Sequence, residues 1–178
     1  LMEGRLDTAI VALPVSESSF SEVALFDENF VLVRPGADEG EPIPDRDSLR
    51  DMRLLLLEEG HCFRDQVESI CGKELMNDNK RSIQFESGSL ETLKSIIDRR
   101  LGFTLLPELA TLNWGKAEKS RLRRFSGEKP VREVSLVVHR SFLKEGLIKV
   151  LQQEIISCLP PEVSRKSSNR VIKWMPEH

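Results

Sequence analysis

No uninterrupted aliphatic run in this chain of 178 residues exceeds Ala9–Leu13. A membrane-spanning helix needs roughly 20 consecutive apolar residues, so nothing here suits a helical crossing of a bilayer, and no membrane partner is expected. Cysteine is scarce, with Cys62, Cys71 and Cys158 as the 3 present. An odd number with no secretory signal argues against a permanent disulfide framework and for a reducing, cytoplasmic setting. Histidine is equally sparse at 3 residues. His61, Cys62 and Cys71 supply fewer ligands than the four of a structural zinc site, so no metal and no cofactor are expected. The sequence also lacks a helix-turn-helix pattern and basic residues interleaved with aromatics. Residues 1–120 carry 14 Lys/Arg against 23 Asp/Glu, whereas residues 121–178 carry 12 against 6. An acidic body does not attract a phosphate backbone, so this chain is not expected to bind DNA by itself. The start, Leu1-Met2-Glu3-Gly4, has neither an initiating Met nor an apolar signal region and reads as a cut inside a longer protein.

Hydrophobic residues make up 39% and charged residues 31%, an ordinary globular balance for a chain that buries roughly 70% of its unfolded surface. Thr8–Leu13, β-branched and apolar until Pro14, predicts a strand buried on both faces. Val23–Phe26 and Phe30–Val33 predict two short strands joined tightly at Asp27-Glu28-Asn29. The Pro- and acid-rich stretch 35–50 predicts a surface crossover, after which Leu54–Leu57 re-enters the core. Ile83–Phe85 predicts a strand, Ser87-Gly88-Ser89 an N-cap, and Leu90–Arg99 an amphipathic helix. The cap hydroxyls and amides also suit an anion, although capping is their ordinary role. Leu101–Pro107 and Val134–His139 predict further strands. Phe142–Leu159, with Leu143, Leu147, Val150, Leu151, Ile155 and Leu159 at helical spacing, predicts a helix closed by Pro160-Pro161. This alternation predicts an α/β fold with parallel strands. The expected division is residues 1–43 in a first lobe, 44–130 in a second lobe bearing the Cys62/Cys71 pair, 131–163 returning to the first, and 164–178 as a polar tail anchored by Trp174. Trp114 and Trp174 suit packing rather than base stacking.

The segment Glu58–Cys71 places Cys62 between His61 and Arg64, directly after a predicted buried strand. Strand ends are where α/β folds keep their sites. Neighbouring cations and helix N-terminal amides lower a thiol's pKa and raise its thiolate fraction. With 65–70 helical, Cys62 stands in the N-terminal approach and Cys71 at the far end, so Cys62 is the better nucleophile. A helical connection holds the two Cα atoms up to about 13 Å apart, whereas a disulfide spans roughly 4.4–6.8 Å. Bridging them therefore requires local remodelling. On the residue pattern alone, two small buried hydrophobes are the favoured account of Cys62 and Cys71. Cys158, near the end of an amphipathic helix, reads as structural.

Gly60-His61-Cys62 through Cys71, with Ser89-Leu90-Glu91-Thr92-Leu93, Gly102–Pro107 and Ala24-Leu25-Phe26-Asp27-Glu28, resembles the regulatory domain of the OxyR family, the peroxide-sensing LysR-type transcription activators. The resemblance runs to about Leu159. It implies a two-lobed, periplasmic-binding-protein-like α/β fold with mixed, mostly parallel sheets. It implies that Cys62 is the peroxidatic cysteine and Cys71 the resolving one, joined in a disulfide, with His61, Arg64, Asp65 and Arg132 in the peroxide pocket. It implies a regulator rather than an enzyme, with hydrogen peroxide and a resetting thiol reductant as reactants. It also implies a dimer of regulatory domains within a full-length tetramer, with promoter DNA and RNA polymerase reached only through the full-length protein. The family's regulatory domain carries further N-terminal elements, including threonines that help bind peroxide, and this sequence starts after them. The alternative is the small-molecule effector-binding domain of another LysR-type regulator. A thiol peroxidase ranks behind both, since no Cys-x-x-Cys motif is present.

Overall fold

The structure, a computed structural model, describes residues 1, 3, 5–12, 17–34, 53–56, 62–71, 82–84, 92, 95, 102–125, 129–140, 144–161 and 163. In chain order the elements are β1 (Thr8–Val11), β2 (Phe20–Val33), β3 (Leu54–Leu56), α1 (Cys62–Cys71), β4 (Ser82–Gln84) and β5 (Thr104–Pro107). A 3-10 turn at Glu108–Thr111, α2 (Lys116–Lys119), β6 (Leu122–Arg123), β7 (Val131–His139) and α3 (Glu145–Ser157) follow. Contacts divide the chain into one unit of residues 1–28 and 131–178 and another of 29–130.

β2 is a single strand of 14 residues, not two strands about a turn at Asp27-Glu28-Asn29. The polar residues that read as a turn have tertiary partners that keep the backbone extended. Glu28 accepts from Arg132 Nε at 2.8 Å, and Asn29 Nδ2 donates to Glu108 Oε2 at 2.9 Å. The unit boundary accordingly falls within β2, at Glu28/Asn29, upstream of the crossover expected near Pro44.

In the first unit β1 pairs antiparallel with β7, Thr8 opposite Val138 and Val11 opposite Ser135. The Thr8 hydroxyl donates to the Val137 carbonyl at 2.9 Å. β7 in turn neighbours β2. β7 matches its sequence signal, a β-branched run with Val131, Val134, Leu136, Val137 and Val138 buried. β1 does not: Ile10 is 58% exposed, so this strand is not buried on both faces. On α3 the buried residue is Ile148, while Leu147 and Val150 are more than half exposed. Leu151, Ile155 and Leu159 of the expected stripe are half-buried on the same face as Ile148, so the packing stripe keeps these three and takes Ile148 in place of Leu147 and Val150. Gln152 Nε2 ties α3 to the Ala24 carbonyl at 2.8 Å.

In the second unit β2 pairs antiparallel with β5 and with β6, whereas β3 pairs parallel with β4. A parallel bridge links Leu54 to Phe103. The expectation of mostly parallel strands thus describes the surroundings of β3 and not the antiparallel β1–β7, β2–β5 and β2–β6 pairs. Leu54, Leu55 and Leu56 are all buried, as a strand covered on both faces requires. Gly102 makes this close approach possible: a Cβ there would lie 2.3 Å from the Arg53 carbonyl oxygen. The Phe103 amide donates to that carbonyl at 2.8 Å, the Leu55 amide donates to the Phe103 carbonyl at 2.8 Å, and the Thr104 hydroxyl donates to the Leu55 carbonyl at 2.9 Å. Trp114 is buried, in keeping with packing. Thr92 and Ser95 are helical, while the other positions of the Leu90–Arg99 helix, its Ser87–Ser89 cap, the stretch 35–50 and Trp174 lie outside the described residues. Among the described residues no helix is long and apolar enough to cross a membrane.

Candidate functional site

The segment Cys62-Phe63-Arg64-Asp65-Gln66-Val67-Glu68-Ser69-Ile70-Cys71 forms the whole of α1. Phe63, Val67 and Cys71 recur every four residues and are buried, which gives the helix one apolar stripe against the second unit's core. The Phe63 ring stacks on Phe30 of β2 with centroids 6.1 Å apart. Asp65 sits in the first turn, where a carboxylate complements the positive end of the helix dipole. In the sequence Gly72 follows directly, a residue suited to ending a helix.

Cys62 is therefore the first residue of α1, not a residue in its approach, and Cys71 is the last. At ~1.5 Å rise per residue the two Cα atoms stand about 13 Å apart along the helix axis, against roughly 4.4–6.8 Å in a disulfide. Cys71 is a buried thiol. Joining the pair requires both extracting Cys71 from the core and unwinding much of α1. Cys158, at the C-terminal cap of α3, is exposed rather than packed.

Of the sequence-predicted pocket residues, Arg64 and Asp65 lie on α1 with the cysteines. Arg64 is buried, and its Nε donates to Glu68 Oε1 at 2.8 Å one turn further along. Burial pushes the Asp65 carboxyl above the ordinary aspartate range, the nearby Glu68 charge pushes it further, and Arg64 acts in the opposite direction. Arg132 lies on β7 in the first unit, where its Nη2 stands 2.7 Å from the Glu28 carboxylate, itself 2% exposed. His61 lies outside the described residues. Glu68 was missed in the sequence, although the Arg64/Glu68 spacing of four is a legible helical pairing signal. Among the described residues no three His, Cys, Asp or Glu side chains gather as a metal site.

Residues 1–156 match the family described as LysR substrate binding domain. The chain belongs to the LysR substrate-binding domain family. This LysR domain is 33% identical over 179 residues to the probable hydrogen peroxide-inducible genes activator of Streptomyces viridosporus, covering 97% of the chain and 54% of that relative. It thus spans about half the length of the curated relatives it matches. The reduced OxyR regulatory domain of Pseudomonas aeruginosa is similar in structure, with a TM-score of 0.73 and 35% identity over 88% of this chain and 75% of that one. A peroxide-bound cysteine-to-serine variant of OxyR from Corynebacterium glutamicum has a TM-score of 0.70 and 27% identity, over 88% of this chain and 52% of that one.

Proposed function

We propose that this LysR domain is the hydrogen-peroxide-sensing regulatory domain of an OxyR-type transcription activator, switched by a Cys62–Cys71 disulfide. The observation that carries the reading is the position of the two cysteines at opposite ends of one helix. No bond between them is compatible with an intact α1, so forming it converts a change in redox state into a change in backbone structure. The names of the relatives support peroxide as the oxidant.

In the proposed reaction the Cys62 thiolate attacks one peroxide oxygen and breaks the O–O bond. Cys62 becomes a sulfenic acid, and the departing hydroxide takes a proton to leave as water. The Cys71 thiol then attacks the Cys62 sulfur, its proton leaves with the sulfenic hydroxyl as a second water, and the disulfide forms. The amides at the start of α1 favour a thiolate at Cys62. His61, Arg64 and Asp65 are the proposed pocket: the cations stabilise thiolate and departing hydroxide, and Asp65 orients the peroxide. A thiol reductant resets the pair, so the domain turns over once per reset and acts as a sensor, not as an enzyme. Dimerisation of regulatory domains, a full-length tetramer, promoter DNA, RNA polymerase and a cytoplasmic setting belong to the same reading. So does a periplasmic-binding-protein-like arrangement of two lobes.

Peptide mass spectrometry of the reduced protein after stoichiometric hydrogen peroxide tests the proposal. The expected product is a Cys62–Cys71 linked peptide, formed before Cys158 reacts despite that thiol's exposure, and abolished by Cys62→Ser. Slow and equal oxidation of all three thiols would contradict it.

A further inference from the structure

We infer that Glu68 is a positioning residue that sets the redox poise of this domain: by holding Arg64 along α1 it stabilises the helical dithiol form against the disulfide. The inference rests on the proposed Cys62–Cys71 switch and adds a regulator of it that lies on neither cysteine. The Arg64 side chain is 7% exposed and that of Glu68 is 31% exposed, with Nε and Oε1 2.8 Å apart. The contact has the i, i+4 spacing that exists only while the four intervening peptide units are helical. An exposed pair of this kind contributes little, but here the cation is shielded from water, and a charge-assisted hydrogen bond to a buried group contributes several-fold more.

Closing a disulfide between the two ends of α1 pulls residues 62 and 71 together and removes helical geometry at residues 64–68. The Arg64–Glu68 contact therefore belongs to the dithiol state, and its free energy enters the thiol–disulfide equilibrium directly. Glu68 also raises the Asp65 carboxyl beside it, so the same side chain sets the charge balance of the helix's exposed face. A carboxylate in this place makes the sensor harder to oxidise and easier to reset than a neutral residue would.

The test is a redox titration of the chain in glutathione buffers, with the Cys62–Cys71 linkage scored by peptide mass spectrometry. Glutathione disulfide is the oxidant, and two glutathione thiols are released for each protein disulfide formed. Glu68→Gln keeps the side chain's size and removes its charge. Its dithiol–disulfide equilibrium constant is expected to move about tenfold toward the disulfide. Glu68→Asp, which keeps the charge but shortens the reach, is expected to move it in the same direction by a smaller factor. Far-UV circular dichroism of the reduced variants confirms that α1 is still formed. A wild-type linkage with an equilibrium constant unchanged in both variants would overturn the role of Glu68 while leaving the switch standing. Absence of the linkage in the wild-type protein would overturn the switch and this inference with it.

Discussion

Truncating Val67 to alanine separates the packing of α1 from its helical propensity. Val67 is fully buried in the middle of the Phe63–Val67–Cys71 stripe. Removing two methyl groups from such a site loses about 1.6 kcal/mol of transfer free energy at ~0.8 kcal/mol each, and the residual cavity adds to this. Alanine is the better helix former, which returns about 0.5 kcal/mol. The net expectation is a reduced protein destabilised by about 2 kcal/mol. If the disulfide unwinds α1, Val67 leaves the core on oxidation, and the oxidised protein does not bear this cost. The thiol–disulfide equilibrium then shifts toward the disulfide by about 40 mV, since 30 mV corresponds to about 1.4 kcal/mol for a two-electron couple. Urea denaturation of both redox states and a titration of the midpoint potential measure the two quantities. Equal destabilisation of both states, with an unmoved potential, would refute the reasoning, because Val67 would then be buried in each.

Gly102→Ala forces a Cβ to within 2.3 Å of the Arg53 carbonyl oxygen and opens the hydrogen bond from the Phe103 amide. A loss of about 2 kcal/mol is expected in denaturant titration, and an unchanged midpoint would contradict it. Arg132→Ala removes the cation that stands 2.7 Å from the deeply buried Glu28 carboxylate. It should cost about 2–3 kcal/mol, and an Arg132→Met, Glu28→Leu double variant should recover part of the loss in a double-mutant cycle. Asp65 is held above the ordinary aspartate range, chiefly by desolvation, so the folded state binds its proton more tightly than the unfolded state does. Stability therefore falls as pH rises from the ordinary aspartate value through the raised one, and Asp65→Asn should flatten that part of the stability–pH profile measured by thermal denaturation. A steeper profile in the variant would reverse the assignment.

The elements that were legible in the sequence are those whose signal is local. Leu54–Leu56, Thr104–Pro107 and Val131–His139 are β-branched or aliphatic runs, and they are strands at nearly the expected bounds. The cysteine-bearing segment was legible as a helix and as a candidate site because its charges, cysteines and apolar positions fall within ten residues. What failed depended on distant partners. Asp27-Glu28-Asn29 carries turn propensity, yet Arg132 and Glu108 hold Glu28 and Asn29 within a continuous strand from 104 and 79 positions away in the sequence. The antiparallel pairings of β1 with β7 and of β2 with β5 were hidden for the same reason, since a buried run does not reveal the direction of its neighbour. Periodicity on α3 marked Leu151, Ile155 and Leu159, which are half-buried, but it also marked exposed Leu147 and Val150 and passed over buried Ile148, because a helix rich in aliphatics offers more than one apolar stripe.

Hydrogen–deuterium exchange of the reduced protein and of the same protein after stoichiometric hydrogen peroxide is the most direct test that the Cys62–Cys71 bond unwinds α1. With the linkage confirmed by peptide mapping, amides within 62–71 are predicted to lose protection on oxidation, while those of β7 keep theirs. A fully formed Cys62–Cys71 disulfide with undiminished protection across 62–71 would contradict the account.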